Sequence, residues 1–166
     1  MTTIAPRHLA QLNIGRFRYA TDDPRMADFM NNLDLVNGLA ERSTGFVWRL
    51  KDESNNATNF RPFDDPNMAV NLTVWESVED LERFVWQTVH KRFYGRRPEW
   101  FDAMDKPHFV MWWVPAGHLP TLKEAKERLK HLTANGASDY AFGWESVPAG
   151  QLWKTARCGA MDGQAA

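Results

Sequence analysis

Three observations predict an α+β fold for this 166-residue chain. Segments that alternate apolar and polar residues read as strands, and segments with apolar residues at helical spacing read as helices. The two kinds follow one another as strand, helix, strand, strand, helix, strand, helix, strand. The first six elements spell βαββαβ, the ferredoxin-like motif, an antiparallel sheet with helices on one face, here extended by a C-terminal helix and strand. One domain over residues 1–149 and a flexible tail over 150–166 are expected.

The first strand is HLAQLNIGRF, His8 to Phe17, with Leu9, Gln11 and Asn13 on one face and Ala10, Leu12 and Ile14 on the other. In the next segment, TDDPRMADFMNNLDLVNGLAERSTG, Asp caps and a Pro in the first turn precede apolar residues at Met26, Phe29, Met30, Leu33, Val36 and Leu39, and Gly45 stops the helix. FVWRL is a short strand, and the polar, Asn-rich residues 51–67 form a long loop. MAVNLTVWE alternates again, with Val70, Leu72 and Val74 opposite Asn71, Thr73 and Trp75. Ser77 with Asp80 makes a capping box that starts a helix running to about Tyr94. A short helix interrupted by Pro98 follows, then the strand HFVMWWVP, a helix capped by Thr121 and stopped by Gly136, and a last strand over Tyr140 to Val147.

Helices on one face leave the other uncovered, and the residues assigned to it include Trp48 or Arg49, Trp75, Trp112 or Trp113, and Trp144. That is too much apolar area to leave wet. A two-fold homodimer with sheet facing sheet is the expected remedy.

Composition narrows the function classes. A formal charge of -1, from 20 basic and 21 acidic residues, provides no electrostatic footprint for nucleic acid or an anionic membrane. No apolar run approaches a bilayer span, the lone Cys158 has no disulfide partner, and the N-terminus lacks the pattern of a secretory signal. A cytoplasmic setting is expected. There is no G-x-S-x-G elbow, phosphate-binding Gly loop or Rossmann fingerprint, and the five histidines lack the spacing of a protein-only metal site, so none is assigned.

What remains is an aromatic excess, eight Trp and ten Phe, that suits either a core or a pocket for a flat ligand. If the second long helix is continuous, Trp86, His90 and Tyr94 recur every four residues on one stripe, with Arg97 beside it. The imidazole of His90 suits a base or a ligand, and Arg97 can clamp an anion. Asn13, Asn71 and Thr73 place polar groups beside Trp75 and Trp112 or Trp113, the make-up of a small-molecule site; a network of amides bonded across the sheet is the alternative. Arg96 fits a helix-dipole role and His118 a turn.

Two resemblances extend this reading. Trp75-Glu76-Ser77 at a strand end, followed by a helix with acids at its start, an aromatic middle and a late His, resembles the antibiotic biosynthesis monooxygenase-like group of the dimeric α/β barrel superfamily over residues 8 to 115. HKRFYGRRPEWF, followed by VMWWVPAGHLPTLKEAKERL, resembles the DUF3291 family over most of the chain. The first resemblance implies positions for a strand Asn, a strand Trp and a heme-ligating His, matched by Asn13, Trp75 and His90, with His90 further along its helix than in those enzymes. It further implies oxygenation of an aromatic or polyketide-like substrate, without a cofactor or with heme. His90 would be the base, with Asn13 and Asn71 stabilising an oxyanion, and Trp75, Trp86, Tyr94, Arg97, Trp112 and Trp113 would contact substrate. A redox-neutral cyclase or isomerase, and a non-catalytic binding or stress protein, are the competing expectations.

Overall fold

Four strands pair in the order β2-β3-β1-β4, every neighbour antiparallel, in a computed structural model that describes residues 4–147. The strands are β1 (Arg7–Arg16), β2 (Phe46–Arg49), β3 (Met68–Trp75) and β4 (Phe109–Pro115). Helix α1 (Ala27–Glu41) joins the first two. Helices α2 (Val78–Gln87), α3 (Val89–Gly95) and α4 (Arg97–Trp100) join the last two, and α5 (Leu122–Asn135) follows β4. The fold is therefore α+β with an open antiparallel sheet. The tail expected over 150–166 lies outside the described residues. Among those described, no helix is long and apolar enough to cross a membrane.

Local sequence explains most boundaries. Asp23 accepts the Arg25 backbone N–H and opens a 3-10 turn over Pro24–Met26 that leads into α1. The Ser77 hydroxyl accepts the Asp80 N–H at 3.2 Å and donates to Asp80 Oδ2 at 2.7 Å. The shorter acid thus meets the hydroxyl itself, where a Glu would reach the cap's backbone. Thr121 accepts the Glu124 N–H, and Gly136, at φ +75°, ends α5 by donating to the Leu132 carbonyl.

The predicted alternation holds in the central strands. Ala10, Leu12, Ile14, Val70, Leu72, Val74, Val110, Trp112 and Val114 form the core on one face, while Leu9, Trp75, Met111 and Trp113 belong to the core on the other. The face expected to be bare is covered within the chain: Ala125 and Leu129 of α5 bury against it, and Leu50, Ala57, Phe60 and Phe63 from the loop region pack alongside. The apolar area that suggested a sheet-to-sheet dimer is thus already buried. Trp75 and Trp112, which that argument grouped, lie on opposite faces.

Two further expectations change. The helix expected from Ser77 to Tyr94 breaks at Thr88, whose backbone is extended at φ -117° and ψ -175°. Its hydroxyl donates to the Phe84 carbonyl and accepts the His90 N–H, closing α2 and capping α3 with one side chain. The strand expected over Tyr140 to Val147 contracts to one bridge, Phe142 to Met111, and a 3-10 turn over Trp144–Ser146. Side-chain stacking takes over there from a ladder, with the Trp144 ring lying on Phe109 at 5.3 Å and 10°.

Gly45 sits at φ +79° between α1 and β2, and a Cβ there would lie 2.0 Å from Asp80 Oδ2. Gly45→Ala is expected to destabilise the fold by about 1–3 kcal/mol through backbone strain and displacement of the α2 cap. Urea unfolding measures this, and an unchanged midpoint would contradict it.

Candidate functional site

Helix α1 does not lie flat on the sheet. Ala40 is its only buried residue, and the other anchor, Met26, lies in the turn just before it. Near its start, Phe29 packs against Phe17, Trp100 and Phe101, with ring centroids 5.8, 5.4 and 5.3 Å away. Between these anchors, Leu33 and Val36 line open space, Val36 also packing against the core that holds Ala40. The result is a partly open chamber of about 1220 Å³ lined by β1, β3, α1, α2, α3 and α4, and at its margins by Ala57, Leu132 and Trp144.

The floor is a hydrogen-bonded polar row. Gln11 and Thr73 are paired across β1 and β3, as are Asn13 and Asn71 one step on. Gln11 Nε2 donates to Thr73 Oγ1 and to Asn71 Oδ1, each at 2.7 Å, and Trp75 Nε1 donates to the same threonine hydroxyl at 2.9 Å. Gln11 spends both amide protons on these bonds. Asn71, accepting through its carbonyl, presents its NH2 to the chamber as a donor. Among the described residues the Asn13 side chain has no hydrogen-bond partner, so its amide also faces the chamber unspent. The amide network considered from the sequence does form, with Gln11 at its centre, and it leaves two amides available.

His90 stands on the wall at the start of α3. Its Nδ1 lies 3.2 Å from the Val85 carbonyl, which can only accept, so Nδ1 carries the proton and Nε2 keeps its lone pair. Burial pushes its pKa below the usual histidine value, with the Val85 bond opposing, and holds the ring neutral. The Phe84 and Tyr94 rings flank it at 5.1 and 6.5 Å, and the Trp86 ring meets Tyr94 edge-on at 5.0 Å. The predicted single stripe is thus split by Thr88 between two helices, yet Trp86, His90, Tyr94 and Arg97 still line one chamber with Asn13, Asn71 and Trp75.

Trp112 and Trp113 do not join them. Trp112 is buried on the opposite face, donating to Glu124 Oε1 of α5 at 3.0 Å. Trp113 lies under Arg7, whose guanidinium carbon is 4.3 Å from the ring centroid. Adjacent residues on a strand point to opposite faces, and sequence left open which of the two faced the polar row. Both prove occupied with packing.

Sequence reasoning passed over Gln11 as a network centre, and also His108, Phe109 and Trp144, which line the chamber. Arg97 Nη1 donates to His108 Nε2 at 3.0 Å. Burial, and then the Arg97 charge, lower the His108 pKa against the opposing Lys106 carbonyl. Nothing at short sequence range marks this pair, which forms only when α4 and the entry to β4 meet.

Thr73→Val keeps the side chain's shape and leaves the buried Trp75 N–H, and one Gln11 proton, without an acceptor. A loss of about 1–3 kcal/mol is expected, read by urea unfolding; a neutral result would mean that the row does not hold the floor together.

His90 and His108 both bind protons more weakly folded than unfolded, so unfolding takes up protons once pH falls below about 6.5. Stability is therefore expected to drop as pH falls through that value. His90→Gln and His108→Gln should each flatten the slope of urea midpoint against pH, and an unaltered slope in both variants would overturn this.

A family model described as "Domain of unknown function (DUF3291)" matches residues 8–158. No curated protein and no solved structure matches the chain.

Proposed function

The chain belongs to the DUF3291 family, whose description assigns no activity, and we propose that it is an enzyme acting on a flat aromatic or polyketide-like small molecule held between sheet and helices. The observation that carries this reading is a neutral imidazole of defined tautomer, His90, on the same chamber wall system as the unspent amides of Asn13 and Asn71. A half-buried neutral base that lines one cavity with hydrogen-bond donors is the equipment for removing a proton next to a carbonyl or phenol and stabilising the oxyanion that results. The strand order, with β3 between β1 and β2 and β1 between β3 and β4, supports a ferredoxin-like split βαβ arrangement. All of these groups come from one chain, so the reading needs no second copy.

In the proposed reaction, His90 Nε2 takes the proton from an activated CH2, and the anion, its charge held on oxygen by Asn13 and Asn71, reacts with dioxygen. The carbon acquires a peroxide, and loss of water leaves a ketone. One oxygen atom ends in product and the other in water, and the substrate carbon supplies all four electrons. Trp75 is held through Thr73 and shapes the cavity.

A heme-dependent variant is supported by the same Nδ1–Val85 bond, since a carbonyl on one imidazole nitrogen orients the other toward a metal. His90 would hold the iron, and a heme there would supply oxygen activation. The redox-neutral cyclase or isomerase uses the same base and amides without oxygen.

Oxygen uptake with phenolic and anthrone-like candidates is expected in the wild type and should fall about 10²–10⁴-fold in His90→Ala. Turnover that persists under nitrogen would replace oxygenation by isomerisation. Hemin titration tests the other variant: a Soret band present in the wild type and lost in His90→Ala would establish heme, whereas no band, or one indifferent to His90, removes it.

A further inference from the structure

Several arginines have a carboxylate within reach: Arg16 with Asp65, Arg18 with Asp102, Arg49 with Glu41, Arg83 with Asp80, and Arg96 with Asp28 and Glu99. Arg97 differs. It is half-buried and lines the chamber, and among the described residues its partners are a neutral imidazole, His108, and the Tyr94 ring, whose centroid lies 5.6 Å from the guanidinium carbon. Neither partner carries negative charge. A guanidinium withdrawn from water into aromatic surroundings is poorly compensated by such neighbours.

The pair also has a defined polarity. Arginine only donates, so His108 Nε2 accepts, and the His108 proton sits on Nδ1, where the Lys106 carbonyl takes it. The imidazole thereby fixes the fork through one of its five N–H groups and leaves four, enough for the two parallel bonds by which a guanidinium grips a carboxylate. The adjacent Arg96 cannot serve this way, because Asp28 and Glu99 already occupy it.

Resting on the reading that the chamber takes a small molecule, we infer that the ligand is an aromatic carboxylic acid: Arg97 binds its carboxylate, His108 positions Arg97, and the aromatic walls around Tyr94 and Phe109 receive its ring. Of the three cations that line the chamber, Arg49 is paired with Glu41, Lys91 is exposed, and Arg97 is half-buried against an aromatic ring, which suits a ligand with one acid group on an apolar body. Tyr94 touches both the His90 ring and the Arg97 guanidinium, so the acid group would anchor the ligand beside the base without occupying it.

Calorimetric titration with 2-naphthoate and with its methyl ester tests this at neutral pH, where neither needs to be turned over. The wild type is expected to prefer the acid at least tenfold. Arg97→Gln should abolish that preference while leaving the ester's affinity unchanged, Arg97→Lys should retain part of it, and His108→Leu should reduce it with the fold intact by circular dichroism. Equal binding of acid and ester by the wild type, or an equal loss of both in Arg97→Gln, overturns the inference alone. Binding of neither probe overturns the small-molecule chamber as well. Selective acid binding with no oxygen uptake leaves the subsite standing and removes only the oxygenation.

Discussion

The whole site depends on a helix kept off its sheet. Most helices on an antiparallel sheet settle until their inner side chains interdigitate with it, because every ångström of gap forfeits dispersion contacts. Here α1 rests at its two ends. Ala40 buries near Leu9, Trp75 and Leu81 at one end, and the cluster of Phe17, Phe29, Trp100 and Phe101 props the other. Gly15 belongs to this prop, since any Cβ there would lie 2.6 Å from the Phe101 ring. The rings are too large to let the helix descend, and the polar row of Gln11, Asn71 and Thr73 below provides no apolar surface for Leu33 to settle against, while Val36 and Leu39 pack on the core that holds Ala40. The chamber follows from the size of one cluster and the polarity of the strip beside it.

That polar strip also explains why the sheet tolerates amides at its centre. An unpaired buried amide is costly, and the row removes most of that cost internally by letting one threonine hydroxyl accept from both Gln11 and Trp75. Asn13 and Asn71 stay outside the closed part of the network because they border open volume. Structural satisfaction and functional availability are thus divided between neighbouring pairs of one register.

Legibility from sequence follows the range of the interaction responsible. Caps and stops such as Ser77, Thr121 and Gly136 act over three or four residues and are readable as they stand. Strand alternation in β1 and β3 is readable for the same reason, and so is the shared face of Asn13, Asn71 and Trp75. Thr88 was harder, because a β-branched residue within an apolar helical pattern is tolerated unless its hydroxyl finds both a carbonyl behind and an N–H ahead, as it does here. The coverage of the second face by α5, the choice between Trp112 and Trp113, and the Arg97–His108 pair are set by tertiary packing alone. No local pattern encodes them.

The sheet's strand order bears on how the chain reaches this state. β1 occupies the interior of the sheet, and its partners arrive late: Leu9 pairs with Trp75 on one side and with Trp113 on the other. One edge of β1 therefore stays open until β3 has been made, and the other until β4 has. Long loops must close before any ladder forms on it, which is the topology of a slow folder with an exposed apolar strand in the interim. For this protein the period of greatest exposure to misassembly is synthesis itself.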